Sequence, residues 1–220
     1  METLRQAQGE RYGVAMVRTA QSLNASLDAL AAVEPGFAQV LGSHGRPEPR
    51  LSEPGVATLM RTIVGQQVSV AAARSMWAKL TAAYGDPPDL TAILAASDDE
   101  LRTLGQSRQK SSYLKSLAGL VLAGELDLAN LPAEDEEAIA LLTRIKGIGR
   151  WSAEIYLLFA EGRGDVWPAG DLAVQVEVGR LLGLTERPSE KQLRQLAEAW
   201  RPHRGAAAVL AWHSYNSAVI

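Results

Sequence analysis

Two stretches of the chain carry residue types whose spacing could do chemistry. In the first, Leu141-Leu142-Thr143-Arg144-Ile145-Lys146 runs as an amphipathic helix into Gly147-Ile148-Gly149, and Arg150-Trp151-Ser152-Ala153 opens a second helix at once. Two glycines around one aliphatic residue permit a tight turn in conformations that other residues resist. Ile148 can plug the space between the helices. The second helix starts with unbonded N–H groups at the positive end of its dipole, where a phosphate can sit without any lysine. Arg150 adds charge at the same place. Gly-x-Gly on its own is more often an ordinary helix–helix turn with glycine caps. In the second stretch, a loop from Gly162 through Pro168-Ala169-Gly170 ends in Asp171 as a further helix begins. Helix N-capping is the commonest task for such an aspartate. Asp165, earlier in the loop, reads as a structural residue that fixes it.

The elements that must position these residues are helical. Apolar residues recur with a 3.6-residue period, as in Leu23, Leu27, Leu30 and Ala31, and β-branched alternation is scarce. The pattern predicts helices near 18–33, 35–42, 54–64, 68–84, 90–96, 98–104, 108–123, 134–144, 150–161, 171–183, 189–199 and 204–217. Gly85-Asp86-Pro87-Pro88, Gly124-Glu125 and Gly162-Arg163-Gly164 punctuate them. Ser97 with Glu100 forms a capping box, and Ser189 with Gln192 a weaker one. Positions 1–15 are polar and expected to be frayed, and 44–54, with three prolines, reads as an extended connector. The fold class is all-α.

Composition removes several chemistries. The 220 residues include no cysteine, which excludes disulfides, thiolate zinc sites, cysteine nucleophiles and cysteine-ligated iron–sulfur clusters. His44, His203 and His213 are scattered, so no dedicated transition-metal site is expected. A net charge of −3 argues against coating nucleic acid by bulk electrostatics. It leaves room for a local basic face, with Arg102, Arg108, Lys110 and Lys115 in one stretch and Arg144, Lys146 and Arg150 in another. No apolar run approaches the ~20 residues that span a bilayer, and the N-terminus lacks a signal-peptide core. The expectation is a cytoplasmic protein, with no membrane partner.

The flanking residues weigh against an ordinary turn at Gly147. Leu-x-x-Ile-x-Gly-Ile-Gly-x-Trp-Ser-Ala, ending at Ala153, resembles the hairpin of the helix-hairpin-helix (HhH-GPD) DNA glycosylase superfamily. Asp165-Val166 with Asp171 twenty positions after Trp151 is similar to its DNA-3-methyladenine glycosylase II branch, which acts on alkylated bases. Ile63-Val64-Gly65-Gln66-Gln67-Val68-Ser69 and Trp200-Arg201-Pro202-His203-Arg204 with Trp212 match that branch in order. The resemblance covers roughly 18–217.

It implies two helical lobes with the active cleft between them. A hairpin lobe of about 65–165 contains the hairpin at 134–161, and a second lobe joins 16–64 to 166–220. An N-terminal β domain carried by many relatives is expected to be missing. The resemblance also implies base excision repair on double-stranded DNA by a protein that is a monomer and nucleoid-associated while acting. Asp171 would be the catalytic carboxylate, stabilising the positive charge that builds on deoxyribose as a base leaves. Trp151, Trp212, Ile155 and Leu172 would line the pocket for the extruded base. Two of those positions often hold aromatics in the family, so Ile155 and Leu172 imply a roomier pocket and broad specificity among alkylated bases such as 3-methyladenine and 7-methylguanine. Gln67 would be the wedge that fills the vacated stack; its alternative task is capping the next helix. Gly147, Gly149, Arg150 and Trp151 would grip the DNA backbone. Trp151 stands where lyase members carry a lysine, so the enzyme would be monofunctional. No cofactor is implied for catalysis; Na+ or K+ could bind the main-chain carbonyls of Thr143, Ile145 and Gly147. The alternative is a non-catalytic helix-hairpin-helix module that recognises distorted DNA.

Overall fold

The structure, a computed structural model, describes residues 19–218; the segment 1–15 lies outside them. The described secondary structure is helical. In chain order it comprises α1 (Ala20–Val33), α2 (Pro35–His44), α3 (Val56–Gly65), α4 (Val70–Tyr84), α5 (Leu90–Ala95), α6 (Asp98–Thr103), α7 (Arg108–Leu122), α8 (Asp135–Leu142) and α9 (Arg150–Tyr156). A π-helical segment (Leu157–Glu161), α10 (Leu172–Leu181), α11 (Glu190–Leu196), a 3-10 turn (Ala197–Trp200) and α12 (Arg204–Ala218) follow. No helix among the described residues is long and apolar enough to cross a membrane.

Local sequence explains most of the boundaries. Side chains of Ser69, Asp89, Ser97, Ser107, Asp171 and Ser189 each accept a hydrogen bond from the first turn of the helix that follows. Both expected capping boxes form, and Thr19 with Ser22 makes a third. The helix expected over 150–161 is α-helical only to Tyr156 and widens into the π segment, where the Arg163 N–H reaches back to the Leu157 carbonyl. The stretch 143–149 is turn rather than helix end.

The chain divides into two compact units, Ser52–Tyr156 and the chain on either side of it. The sequence placed the borders near 64/65 and 165/166. Both fall earlier, and the first does so because α3 packs on α4, α7 and α9, burying Leu59, Met60, Ile63 and Val64 in the hairpin unit. The same unit's core takes Leu114 and Leu117 of α7 and Ala138, Ile139 and Leu142 of α8.

In the other unit α12 packs on α1, α2 and α10. Its first half, Ala206 to Ala211, is buried all round, which its small residues permit. Trp200 meets Phe37 and Trp167 edge-on at 5.0 and 5.6 Å between ring centres. Asp165 is buried and fixes the loop as expected: it accepts from Arg201 Nη1 at 2.6 Å, Arg204 Nε at 2.9 Å and Arg204 Nη2 at 3.0 Å. At Gly205 a Cβ would lie 2.7 Å from the Gly164 carbonyl oxygen, so only glycine lets α12 start this close to the loop. Replacing Asp165 by alanine removes three hydrogen bonds from the buried loop and leaves Arg204 only the exposed Glu198 carboxylate, and we expect a loss of about 2 kcal/mol, read as a lower urea midpoint at unchanged m-value.

Candidate active site

Asp171 ends the buried loop and caps α10. Its Oδ1 accepts from the Val174 N–H and from the Trp212 indole Nε1, each at 3.0 Å. The indole comes from α12, so the packing of α10 on α12 decides this contact. The π segment brings Phe159 beside Trp212, with ring centres 5.6 Å apart and planes tilted by 37°. The loop before Asp171 is tied by Gln175 Nε2 to the Ala169 carbonyl (2.8 Å) and by Arg194 Nη1 to that of Trp167 (3.3 Å). A carboxylate with one oxygen fixed by two donors meets an incoming group without reorganising, and can stabilise positive charge or take a proton from water. Leu172, beside it, is 56% exposed.

The hairpin lies in the other unit. Gly147 has φ +81°, and a Cβ there would overlap the Tyr113 ring at 2.1 Å, so backbone and packing both demand glycine. Gly149 differs: its φ lies outside the left-handed region, and nothing in the protein lies within 4 Å of where a Cβ would be. Turn geometry therefore does not explain its identity, and the space stays open to a group from outside. Ile148 is buried, as its plugging role requires. Arg150 does not bring an uncompensated charge. Its guanidinium pairs with Glu136 and, at 3.0 Å, with buried Glu154. The Glu136 hydrogen bonds, then the charge of Glu154 against the cost of burial, raise its pKa above the usual arginine value.

Gln67 is exposed in the turn between α3 and α4, with a left-handed φ of +55°. It does not cap α4; Ser69 does, through the Ala72 N–H. Trp151, 48% exposed, and Gln67 line one recess of about 970 Å³ together with Gln66, Lys110, Tyr113 and Gly147. Ile155 is half-buried on α9. The structure thus joins Asp171 to Trp212 in one unit and Trp151 to Gln67 and Gly147 in the other. Sequence reasoning missed Phe159, which restores an aromatic ring beside Trp212, and Gln66, whose side chain reaches the Gly147 carbonyl.

Helical secondary structure among the described residues, a glycine hairpin and a capped, indole-bonded aspartate after a buried loop point to the class of helix-hairpin-helix DNA repair proteins. The sequence profile of the HhH-GPD superfamily of base excision DNA repair proteins matches residues 60–202, and the chain belongs to that family. It is 30% identical over 188 residues to DNA-3-methyladenine glycosylase 2 of Escherichia coli, covering 79% of this chain and 64% of that one. A solved DNA-3-methyladenine glycosidase from Bacillus halodurans superposes with a TM-score of 0.79 at 29% identity, over 88% of this chain and 90% of that one. The 3-methyladenine DNA glycosylase of Schizosaccharomyces pombe, solved in complex with abasic DNA, gives 0.69 at 26% identity, over 89% and 97%. The chain spans 57% and 64% of the first curated relatives it matches, less than two thirds of their length.

The two hairpin glycines should separate in stability. Gly147→Ala should cost more than about 3 kcal/mol, from the strained φ and the tyrosine overlap. Gly149→Ala should cost less than about 1 kcal/mol. Denaturant midpoints check both, and equal losses would contradict the assignment.

Proposed function

We propose that this chain is a monofunctional DNA glycosylase that hydrolyses the N-glycosidic bond of alkylated bases such as 3-methyladenine and 7-methylguanine, leaving an abasic site in base excision repair. The observation that carries the reading is the Asp171 carboxylate, held by a helix N-terminus and an indole donor in a chain whose hairpin matches DNA glycosylases. As the base departs with the bonding electrons, positive charge develops at C1′ and the ring oxygen of the deoxyribose. Asp171 balances that charge and accepts a proton from the water that adds to C1′. The products are the free base and the hydrated abasic sugar.

Base capture falls to the aromatic groups. Methylated purines carry positive charge, and ring faces such as those of Trp151 and Trp212 attract them by stacking and cation–π contact, ~0.5–2 kcal/mol each. Ile155 and Leu172 are aliphatic, which favours a permissive pocket that discriminates through leaving-group quality. Phe159 acts through Trp212 by bracing its ring. Gln67 fills the space left in the duplex.

The hairpin grips the DNA backbone through the N–H groups of Gly147, Gly149 and Trp151, and the open space at Gly149 admits a phosphate. Because Arg150 is already paired with two carboxylates, its part there is to hold the hairpin helices together. A Na+ or K+ fits the carbonyls of Thr143, Ile145 and Gly147. A carbonyl oxygen has two lone pairs, and those of Ile145 and Gly147 each accept one hydrogen bond, from Ile148 N at 3.1 Å and Gln66 Nε2 at 2.8 Å. When bound, the ion supplies positive charge at the turn.

Trp151 has no amine to attack C1′, so the strand stays intact. Incubation with methylated DNA should release both 3-methyladenine and 7-methylguanine, and borohydride should trap no protein–DNA adduct. Asp171→Asn should lower single-turnover release by at least about a hundredfold; equal release by both proteins would defeat the assignment.

A further inference from the structure

We propose that Gln66 is a positioning residue that couples the hairpin turn to the turn carrying Gln67, so that docking of the hairpin on a DNA backbone fixes where the wedge stands. The proposal rests on the DNA-glycosylase reading and deepens it. Gln66 leaves α3 as its C-terminal cap, with φ −59° and ψ 130°. Its Nε2 donates to the Gly147 carbonyl at 2.8 Å, a contact between residues 81 positions apart. A carbonyl only accepts, so the amide nitrogen must be the atom that faces it.

Both ends of this link are held from α7. Lys110, Tyr113 and Ser116 lie three residues apart and therefore share a face of that helix. Buried Lys110 donates from Nζ to the Val64 carbonyl at 2.7 Å, fixing the last turn of α3 just before the wedge. Tyr113 packs against the Gly147 backbone. Ser116 accepts from the Lys146 N–H at 3.1 Å. Burial also pushes the Lys110 pKa below the ordinary lysine value, the cost of placing an ammonium at this joint.

Between these anchors Gln67 adopts a left-handed φ of +55°, which costs a non-glycine residue roughly 1 kcal/mol. Packing does not compensate, because Gln67 is exposed and its neighbours Val68 and Val70 are 38% and 77% exposed. The conformation is held from its ends, by Gln66 on one side and the Ser69 cap on the other. Without the Gln66 bond the hairpin keeps its shape and its grip on phosphates, while the wedge loses its fixed position relative to it. Base extrusion should therefore suffer and backbone binding should not.

The test uses the full chain with Gln66→Glu, which sets a carboxylate against the carbonyl, and Gln66→Met, which keeps the bulk without a donor. Three quantities are read: affinity for an undamaged duplex, the fluorescence gain of 2-aminopurine beside a 7-methylguanine, and single-turnover release of that base. In both variants, undamaged-duplex affinity should stay within about twofold and the melting temperature near the parent's, while fluorescence gain and release fall roughly tenfold. Parent-like extrusion and release in both variants would overturn the coupling. So would a parallel fall in undamaged-duplex affinity, which marks a general structural role. A parent protein that gives the fluorescence gain and frees no base would defeat the glycosylase reading and leave the coupling standing on fluorescence alone; a parent with no gain would overturn the coupling.

Discussion

The fold rests on making the interior tolerate a loop. Residues 161–169 run from the end of the π segment to the edge of α10 and are all buried, although irregular backbone inside a protein carries polar groups that must find partners. The partners come from four places. Arg201 and Arg204 hold the Asp165 carboxylate, Arg194 donates to the Trp167 carbonyl, and Gln175 donates to that of Ala169. The N–H of Gly205 reaches the Gly164 carbonyl at 2.7 Å. A loop held at so many points can deliver Asp171 in one orientation, which a surface loop of the same length could not.

Arginines in this protein serve architecture more than surface potential. Arg150, Arg180, Arg194, Arg201 and Arg204 are all engaged with carboxylates, and the chain as a whole carries −3. Beside these paired arginines the hairpin unit presents backbone amides, an open glycine and exposed aromatic and amide side chains, the groups through which the proposed function has it grip DNA. Such contacts are short-ranged and indifferent to base sequence. On the proposed function, the arrangement suits a protein that must examine many undamaged sites and leave them.

The helix pattern was legible to within a few residues, because the 3.6-residue apolar period and the serine and aspartate caps are local. Ser97 with Glu100 and Ser189 with Gln192 need no tertiary information to form their boxes. Two local readings met competition. The helix from Arg150 was expected to run unbroken to 161, and it widens from Leu157 into a π segment where the Arg163 N–H bonds back to the Leu157 carbonyl. Gly149 looked like a second conformational glycine, yet only Gly147 occupies the left-handed region. The unit borders were placed too late in the chain, since which core an amphipathic helix such as α3 joins is not written in its own residues.

From the residues alone Asp171 read as a helix cap and the glycines as a turn; the resemblance of the flanking motifs to a known family is what singled out Asp171, Trp151 and Gln67 for chemistry. What only the tertiary structure decided is which groups meet. Trp212 hands its N–H to Asp171 across 41 positions, Phe159 backs that indole, Gln66 reaches Gly147, and Arg150 is neutralised by Glu136 and Glu154. Apart from the Arg150–Glu154 pair, which lies within one helix turn, each depends on groups from separate segments approaching within about 3–6 Å. Such approaches are set by how helices pack, a three-dimensional constraint that no one-dimensional period encodes.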